Sequence, residues 1–297
     1  MTPRWATLSG SAIGSAHVRD QLPLQDAVLT WSDPDSARAV IAVADGHGHH
    51  LHFRSDTGAA LAVVSAVEGL RRALPAIAEL GTPDRTQDRT DRARQAKAIV
   101  EDAAAAILED WVRKVGHHLN AHPYTAAEDD NGASADPLRA YGSTLIAAAA
   151  VEDLLFFVQV GDGDAVVVGE DGVASRPLPE DPDHDGIHTS SLCQARPLDA
   201  LRVACLDSSQ EPVGLVFLCT DGFGRSRVDA QGWWRQTGEQ LLDFSRTRGL
   251  TWVRDQLDDW LAEPALIGGD DTTMALLVRT LLVDRPDLVD TVPAPQA

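Results

Sequence analysis

Aspartates recur beside glycines or other small residues at the ends of apolar segments of this sequence. Some follow an apolar segment, in "AVADG", "VQVGDG" and "FLCTDG", and others precede one, in "LQDAV" and "GGDDTT". A single Asp-Gly after a strand is most often a turn, but five such places are hard to explain as five independent turns. The aspartates concerned are Asp26, Asp45, Asp162, Asp221, Asp270 and Asp271.

These carboxylates could together bind a cation. Adjacent antiparallel strands place alternate ends at the same edge of a sheet, so side chains at those ends can converge. Convergent carboxylates repel one another and cannot all stay ionised unless a cation neutralises them. Oxygen-only ligation is the preference of Mg²⁺ and Mn²⁺, and a glycine such as Gly46 lets a backbone carbonyl join the ligands. The pattern predicts a site for hard divalent cations.

The histidines of "ADGHGHHLH" suggest an alternative, a transition-metal site. His47, His49, His50 and His52 could bind Zn²⁺. Their spacing lacks the pair of histidines four residues apart on a helix, with a general base between them, that marks many zinc hydrolases. We therefore favour Asp45 as the functional residue of this segment and interpret His49, His50 and His52 as loop or helix-start residues.

Composition argues against several classes of function. The chain has 297 residues, and its 25 basic against 45 acidic side chains give a formal net charge of −20. This charge argues against non-specific binding of nucleic acid and against attachment to anionic membranes. No apolar run reaches 18 residues, and the three cysteines lack CxxC spacing, which is typical of buried thiols in a reducing compartment. We expect a cytoplasmic monomer that contacts neither membrane nor nucleic acid.

Strands and helices are predicted in alternating blocks. Strand-like segments lie at 6–14, 27–31 and 37–45, then at 142–151, 153–172, 173–178, 201–206 and 214–222, and finally at 272–282. One pair of helices is predicted at 57–74, capped by Ser55 or Asp56, and at 96–119, with a polar connection over 81–95; a second pair fills 232–263 and breaks near Arg248-Gly249. Paired helices between blocks of strands favour antiparallel sheets with helices outside, an α+β layered sandwich.

The ordered segments resemble the motifs of the metal-dependent Ser/Thr protein phosphatases of type 2C, and most closely those of the bacterial branch. They are "GSAHVRDQLPLQDA" (14–27), "VADGHG" (43–48), "GSTL" (142–145) with "VGDGDA" (160–165), "LCTDGF" (218–223) and "GGDDTT" (268–273). The resemblance covers roughly residues 9–280. It implies a four-layer αββα sandwich, with two central antiparallel β-sheets flanked by pairs of antiparallel helices. It also implies one catalytic domain over 1–282, followed by a flexible tail over 283–297.

The resemblance also implies a ligand set for two Mn²⁺ or Mg²⁺ ions, and for a third where that site is filled. Asp45 matches the carboxylate that bridges two ions, and Gly46 matches the backbone carbonyl ligand. Asp26 matches a ligand that acts through water, and Asp162 matches a residue that holds the third ion together with Asp221. The full implied set is Asp26, Asp45, Gly46, Asp162, Asp221 and Asp270.

The catalytic residues implied by the resemblance are Asp45, His47 and Arg19. Arg19 is the nearest candidate for binding the substrate phosphate, although it stands about two residues away from the position that the family motif would give such an arginine. His47 would be a proton donor or a hydrogen-bond partner near the site. The sequence departs from the family pattern at Gly163, at Asp271 and at His49, where a serine, an asparagine and a glycine are usual, and none of these departures removes a metal carboxylate.

The function implied is hydrolysis of phosphoserine and phosphothreonine in a protein substrate, by a hydroxide that bridges the two ions and attacks phosphorus in line. One alternative is a pseudophosphatase or phosphoprotein-binding module without turnover. Another is a two-metal hydrolase of nucleotides or small phosphate esters. The segment "PEDPDHDGIHTSS" (179–191), with His184 and His188, is interpreted either as a flap near the active site or as a solvated loop.

Overall fold

The computed structural model describes residues 5–81, 86–129, 132–179, 189–227, 229 and 232–280. The strands are β1 (Trp5–Ala12), β2 (Ala27–Ser32), β3 (Arg38–Ala44), β4 (Leu145–Val151), β5 (Leu154–Val160), β6 (Asp164–Gly169), β7 (Ala174–Ser175), β8 (Arg202–Asp207), β9 (Val213–Cys219) and β10 (Thr272–Arg279). The α-helices are α1 (Ser15–Asp20), α2 (Ser55–Ala78), α3 (Thr86–Ala121), α4 (Ala126–Asp129), α5 (Asp221–Arg225), α6 (Trp233–Thr247) and α7 (Leu250–Gly268). The predicted tail over 283–297, and His184 and His188, lie outside the described residues.

The strands form two five-stranded sheets, and every pairing in them is antiparallel. The first sheet has the order β1-β10-β9-β6-β7, and the second has the order β2-β3-β4-β5-β8. Helices α2 and α3 pack on the outer face of the second sheet. Helices α6 and α7 pack on the outer face of the first sheet. The predicted four-layer αββα sandwich is confirmed.

The layering explains why the inner strands are apolar throughout. In β3, Val40 and Ala42 face the helices α2 and α3, whereas Ile41 and Val43 lie between the two sheets. Successive strand side chains point to opposite faces, so a strand that is covered on both faces needs apolar residues at every position. Each fully buried valine or isoleucine side chain of this kind stabilises the fold by about 1.5–3 kcal/mol relative to an exposed one.

Helix α3 is longer than the sequence pattern indicates. The polar connection predicted over 81–95 is wrong, because α3 already begins at Thr86 and runs for 36 residues. Its first turns are stabilised by ion pairs rather than by an apolar stripe. Arg94 pairs with Asp91 at 2.9 Å, and the buried Arg92 pairs with Glu152 at 3.3 Å. Charged pairs three residues apart support a helix without leaving an apolar period in the sequence.

The predicted cap of α2 is also wrong. The helix begins at Ser55, and Arg54 occupies the N-cap position without a side-chain cap hydrogen bond. Asp56 lies in the first turn, where its negative charge interacts favourably with the helix dipole. The break between the last two helices is confirmed, because α6 ends at Thr247 and α7 begins at Leu250 after Gly249, whose φ is 86°.

Two expectations drawn from composition can be compared with the fold. Cys219 is buried as predicted, whereas Cys193 and Cys205 are only partly buried, and all three are free thiols. In the described part of the chain no helix combines the length and the apolarity that crossing a bilayer requires. The cytoplasmic location, the monomeric state and the domain limits stay predictions.

Candidate active site

Asp45 directly follows β3, and the backbone on both sides of its carboxylate is held in place. Its N–H donates to Oγ1 of Thr144 at 3.0 Å, and its carbonyl accepts from the N–H of Thr144 at 2.8 Å. The next residue, Gly46, pairs with Ser143 across an isolated antiparallel bridge. The segment that leads into β4 therefore fixes where the Asp45 side chain starts, at the end of a central strand.

Gly46 lies where a side chain cannot fit. A Cβ atom at this position would lie 2.5 Å from the carbonyl oxygen of Gln25 and 2.8 Å from that of Ser55. Both are backbone atoms, so they cannot make room for a side chain by changing rotamer. The glycine is therefore required for the close approach of three chain segments beside Asp45, and its role as a carbonyl ligand stays a prediction.

Three further predicted ligands converge on Asp45. Asp26 precedes β2, Asp221 follows β9 at the start of α5, and Asp270 precedes β10. Burial raises the pKa of Asp45 well above its usual value, and the negative charges of Asp26, Asp221 and Asp270 raise this pKa further. The carboxyl groups of Asp45 and Asp221 are hydrogen-bonding neighbours. The structure thus brings together residues from four different elements, as the sequence predicts.

The pKa values of Asp26 and Asp270 are raised in the same direction as that of Asp45. Burial raises the pKa of Asp26 well above its usual value, and the charges of Asp271 and Asp270 add to this, although a hydrogen bond from Thr220 opposes them. Burial also raises the pKa of Asp270. Ionised carboxylates in this position repel each other and are poorly solvated, so a cation would lower their free energy.

The donor set fits a hard divalent cation in charge and in ligand type. Oδ1 of Asp221 is buried and has no hydrogen-bond donor in the described part of the chain. An orphaned carboxylate oxygen among other carboxylates matches the oxygen preference of Mg²⁺ and Mn²⁺. Among the described residues no group of three or more His, Cys, Asp or Glu side chains is arranged to hold a metal ion, so the fit is one of charge and ligand type and not of ligand geometry.

Asp162 lies near Asp221, and both form an ion pair with Arg225. Nη2 of Arg225 is 3.0 Å from Oδ2 of Asp162, and Nη1 is 2.7 Å from Oδ2 of Asp221. Asp164, at the start of β6, pairs in turn with Arg176 at 2.8 Å. Burial raises the pKa of Asp164 to about 6, against the opposing charge of Arg176. The sequence analysis missed both Arg225 and Asp164.

Asp271 has a structural role. Its side chain accepts from the N–H of Gly14 at 2.7 Å and from the N–H of Gln25 at 2.6 Å. Nδ1 of His17 lies 2.9 Å from the same carboxylate, which is only 2% exposed. These contacts tie the segment on both sides of α1 to the start of β10. Asp271 therefore positions its neighbour Asp270 and the loop that carries Asp26.

His47 and His52 each use a ring nitrogen in a hydrogen bond to another part of the chain. Nε2 of His47 is 2.7 Å from Oγ of Ser191, and Nδ1 of His52 is 2.5 Å from the carbonyl oxygen of Arg139. Burial lowers the pKa of His47 to about 4, so its ring is neutral near pH 7. His49 and His50 are exposed and lie against each other. The geometry does not favour a zinc site, and it fits His47 as a hydrogen-bond partner.

Arg19 does not approach the carboxylates. Its side chain is 72% exposed and pairs with Asp20 at 2.9 Å. The residue of α1 that reaches the site is His17, whose Nε2 lies 4.0 Å from Asp270. The sequence analysis missed His17, because nothing in its local pattern shows which face of this short helix turns inward. The phosphate-gripping role of Arg19 stays a prediction.

Thr220 is a further residue that the sequence analysis missed. Its Oγ1 donates to Oδ2 of Asp26 at 2.8 Å and accepts from the N–H of Thr273 at 3.0 Å. The hydroxyl thus links the loop before β2 to β10 through the end of β9. Its position directly before Asp221 in "CTDG" is the only signal that the sequence offered.

Comparisons with known proteins identify the family and the fold of the chain. A family model described as protein phosphatase 2C matches residues 13–262. No curated protein gives a significant match to the chain.

Solved structures share the whole architecture. PppA, a regulatory component of the type VI secretion system of Pseudomonas aeruginosa, is 18% identical, with 94% of this chain and 99% of that chain covered and a TM-score of 0.54. A bacterial serine phosphatase is 13% identical, with 93% and 98% covered and a TM-score of 0.54. The serine/threonine phosphatase of S. agalactiae is 16% identical, with 92% and 99% covered and a TM-score of 0.50. At these identities the likeness shows the fold alone.

Proposed function

Since this chain belongs to the protein phosphatase 2C family, we propose that it is a metal-dependent phosphomonoester hydrolase whose substrates are phosphorylated serine and threonine residues of proteins. The observation that carries the proposal is the convergence of Asp45, Asp26, Asp221 and Asp270 from separate elements, with raised pKa values. Such a group needs a cation, and phosphoryl transfer is chemistry that divalent cations promote.

Asp45 is the residue we propose to hold two Mn²⁺ or Mg²⁺ ions, with Asp26, Asp221, Asp270 and the carbonyl of Gly46 completing the ligands. When bound, the ions supply Lewis acidity, which makes a water nucleophilic and offsets charge on the phosphoryl oxygens. The chain contributes rigidity: both backbone groups of Asp45 are held by Thr144. Ligands held in advance need little reorganisation during the reaction.

The reaction forms a bond from water oxygen to phosphorus and breaks the bond from phosphorus to the serine or threonine oxygen, and the proton that the water loses balances the one that the leaving oxygen takes up. His47 is the side chain we propose to act near the leaving oxygen. Because its ring is neutral, it would act through an N–H and not as an imidazolium. Its bond to Ser191 keeps the ring in one orientation. Arg19 is exposed enough to meet a substrate protein, and we keep it as the proposed phosphate contact.

The experiment is hydrolysis of p-nitrophenyl phosphate and of a phosphothreonine peptide, each with Mn²⁺, with Mg²⁺ and with EDTA. We expect turnover with either ion, loss of turnover in EDTA, and recovery when the ion is restored. Stimulation by Zn²⁺ alone, or full activity in EDTA, would contradict the carboxylate site. Binding of the phosphopeptide with no turnover under any of these conditions would instead identify a pseudophosphatase.

A further inference from the structure

We propose that the guanidinium of Arg225 is the resident cation on the Asp162 side of the site and occupies the place of a third divalent ion; this inference rests on the proposed function. One guanidinium faces two predicted ligands at once, with Nη1 2.7 Å from Asp221 and Nη2 3.0 Å from Asp162. Nη2 donates to Asp162 and Nη1 forms an ion pair with Asp221, so the guanidinium contacts both carboxylates.

The position of Arg225 beside the two aspartates follows from the local sequence of α5. Asp221 and Arg225 are the first and last residues of α5, four positions apart, and side chains with this spacing lie on the same face of a helix. The central residues of α5 are buried and anchor the helix. Phe223 packs edge to face against Trp233 at 5.3 Å, and a Cβ at Gly224 would lie 2.9 Å from the Trp233 ring. The arginine therefore starts from a fixed backbone beside the aspartates.

A divalent ion and this guanidinium cannot share the position. An ion bound by Asp162 and Asp221 would lie about 2.0–2.6 Å from oxygens of both carboxylates. The nitrogens of Arg225 already lie within hydrogen-bond distance of Oδ2 of each. The two carboxylates are nearly buried, with 8% and 10% of their side chains exposed, so a cation is needed beside them. The planar fork of an arginine suits this better than a lysine would.

The arrangement leaves the two-ion centre intact. Asp221 uses Oδ2 for Arg225, whereas its Oδ1 is buried without a donor in the described part of the chain and its carboxyl neighbours that of Asp45. One oxygen can thus serve Arg225 and the other an ion shared with Asp45. The chain should therefore bind two divalent ions and exclude a third.

The test counts bound Mn²⁺ in the full chain by titration calorimetry, and by equilibrium dialysis with metal analysis. We expect two ions for the wild type, three for Arg225→Ala, and two again for the double variant Arg225→Ala with Asp162→Asn. Arg225→Lys should bind two, because it keeps a positive charge. Arg235→Gln is the matched control, since Arg235 is exposed and stacks on Trp234 at 4.2 Å, and it should also bind two ions.

The outcomes separate this inference from the proposed function. A third ion in the wild type, or two ions in folded Arg225→Ala, would overturn the role of Arg225 and leave the phosphatase proposal standing. A wild type that binds no Mn²⁺ would overturn the proposed function, and this inference with it. If Arg225→Ala does not fold, the wild-type count still decides, because a third ion there is incompatible with an arginine in its place.

Discussion

The two sides of the carboxylate site differ in the partners that the chain supplies. In the central group, Asp26, Asp45 and Asp270, two of the carboxylates accept from neutral donors: Thr220 donates to Asp26, and the N–H of Asp271 donates to Asp270 at 3.0 Å. The lateral group, Asp162 and Asp164, is paired with arginines. Asp221 belongs to both sides, because it neighbours Asp45 and pairs with Arg225.

The difference indicates which side needs a cation from solution. Burial and mutual repulsion raise the pKa of Asp45 and of Asp26 well above their usual values, so the central group is costly to keep ionised in the folded chain. At Asp162 and Asp164 a guanidinium offsets part of that cost, although burial still raises the pKa of Asp164 to about 6. Metal ions should therefore bind first and most tightly at the central group.

The largest effect should come from Asp45→Asn, which keeps the shape of the side chain and removes its charge. We expect a loss of turnover of at least about a hundredfold on a phosphothreonine peptide, because the residue that holds the ions is lost. Calorimetry should show weaker Mn²⁺ binding. Asp255→Asn, on the exposed face of α7, is the control and should retain wild-type turnover and binding.

The same variant should not lose stability. A carboxyl whose pKa is raised on folding destabilises the fold at any pH above its usual pKa. Its replacement by a neutral amide should therefore leave the melting temperature without divalent ions unchanged or higher. An Asp45→Asn protein that binds two Mn²⁺ normally and turns over at the wild-type rate would contradict the proposal that the central group binds the metal ions.

Asp271→Ala should act in the opposite direction, on stability. It removes the acceptor for the buried N–H groups of Gly14 and Gln25. A buried donor left without a partner costs about 1–3 kcal/mol, so we expect a loss of about 3 kcal/mol in the free energy of unfolding. Urea unfolding measures it, with Asp35→Ala at an exposed turn as the control. An unchanged midpoint would show that Asp271 does not tie α1 to β10.

Thr220→Val should have a smaller effect on the central group. The variant keeps the shape of the side chain but removes the hydroxyl that donates to Asp26 and accepts from the N–H of Thr273. We expect a loss of about 1–2 kcal/mol in the free energy of unfolding. Thr247→Val is the control, because Thr247 is exposed and its hydroxyl donates to the carbonyl oxygen of Asp243 within α6. A loss no larger than in this control would argue against Thr220 as the support of Asp26.

The smallest effect should come from Asp162→Asn on the lateral side. Arg225 still pairs with Asp221 in this variant, and the central group is untouched. We expect turnover to fall about threefold, which corresponds to less than 1 kcal/mol in the barrier. Kinetics at saturating Mn²⁺ measure the change. A loss as large as that of Asp45→Asn would mean that both sides take part equally in catalysis.

The sequence predicts a residue's role where that role depends on where the residue stands relative to the end of a strand or helix. Asp45, Asp26 and Asp270 could be identified because each stands at a boundary of an apolar segment, and an antiparallel sheet brings such boundaries to one edge. The start of α3 could not be identified, because the pairing of Asp91 with Arg94 and of Arg92 with Glu152 replaces the apolar period there. The exposure of Arg19 could not be predicted, because it depends on which face of α1 packs against the rest of the chain.

The sequence by itself determined the layered architecture and the carboxylates of the central group, since both follow from which segments are apolar and where each one stops. Only the tertiary structure decided how those carboxylates are supported. His17, Thr220 and Arg225 act on residues that belong to other elements or that depend on how a short helix is held. Contacts of this kind leave no periodic trace in the sequence, because they arise when loops from distant positions pack together at one edge of the sheets.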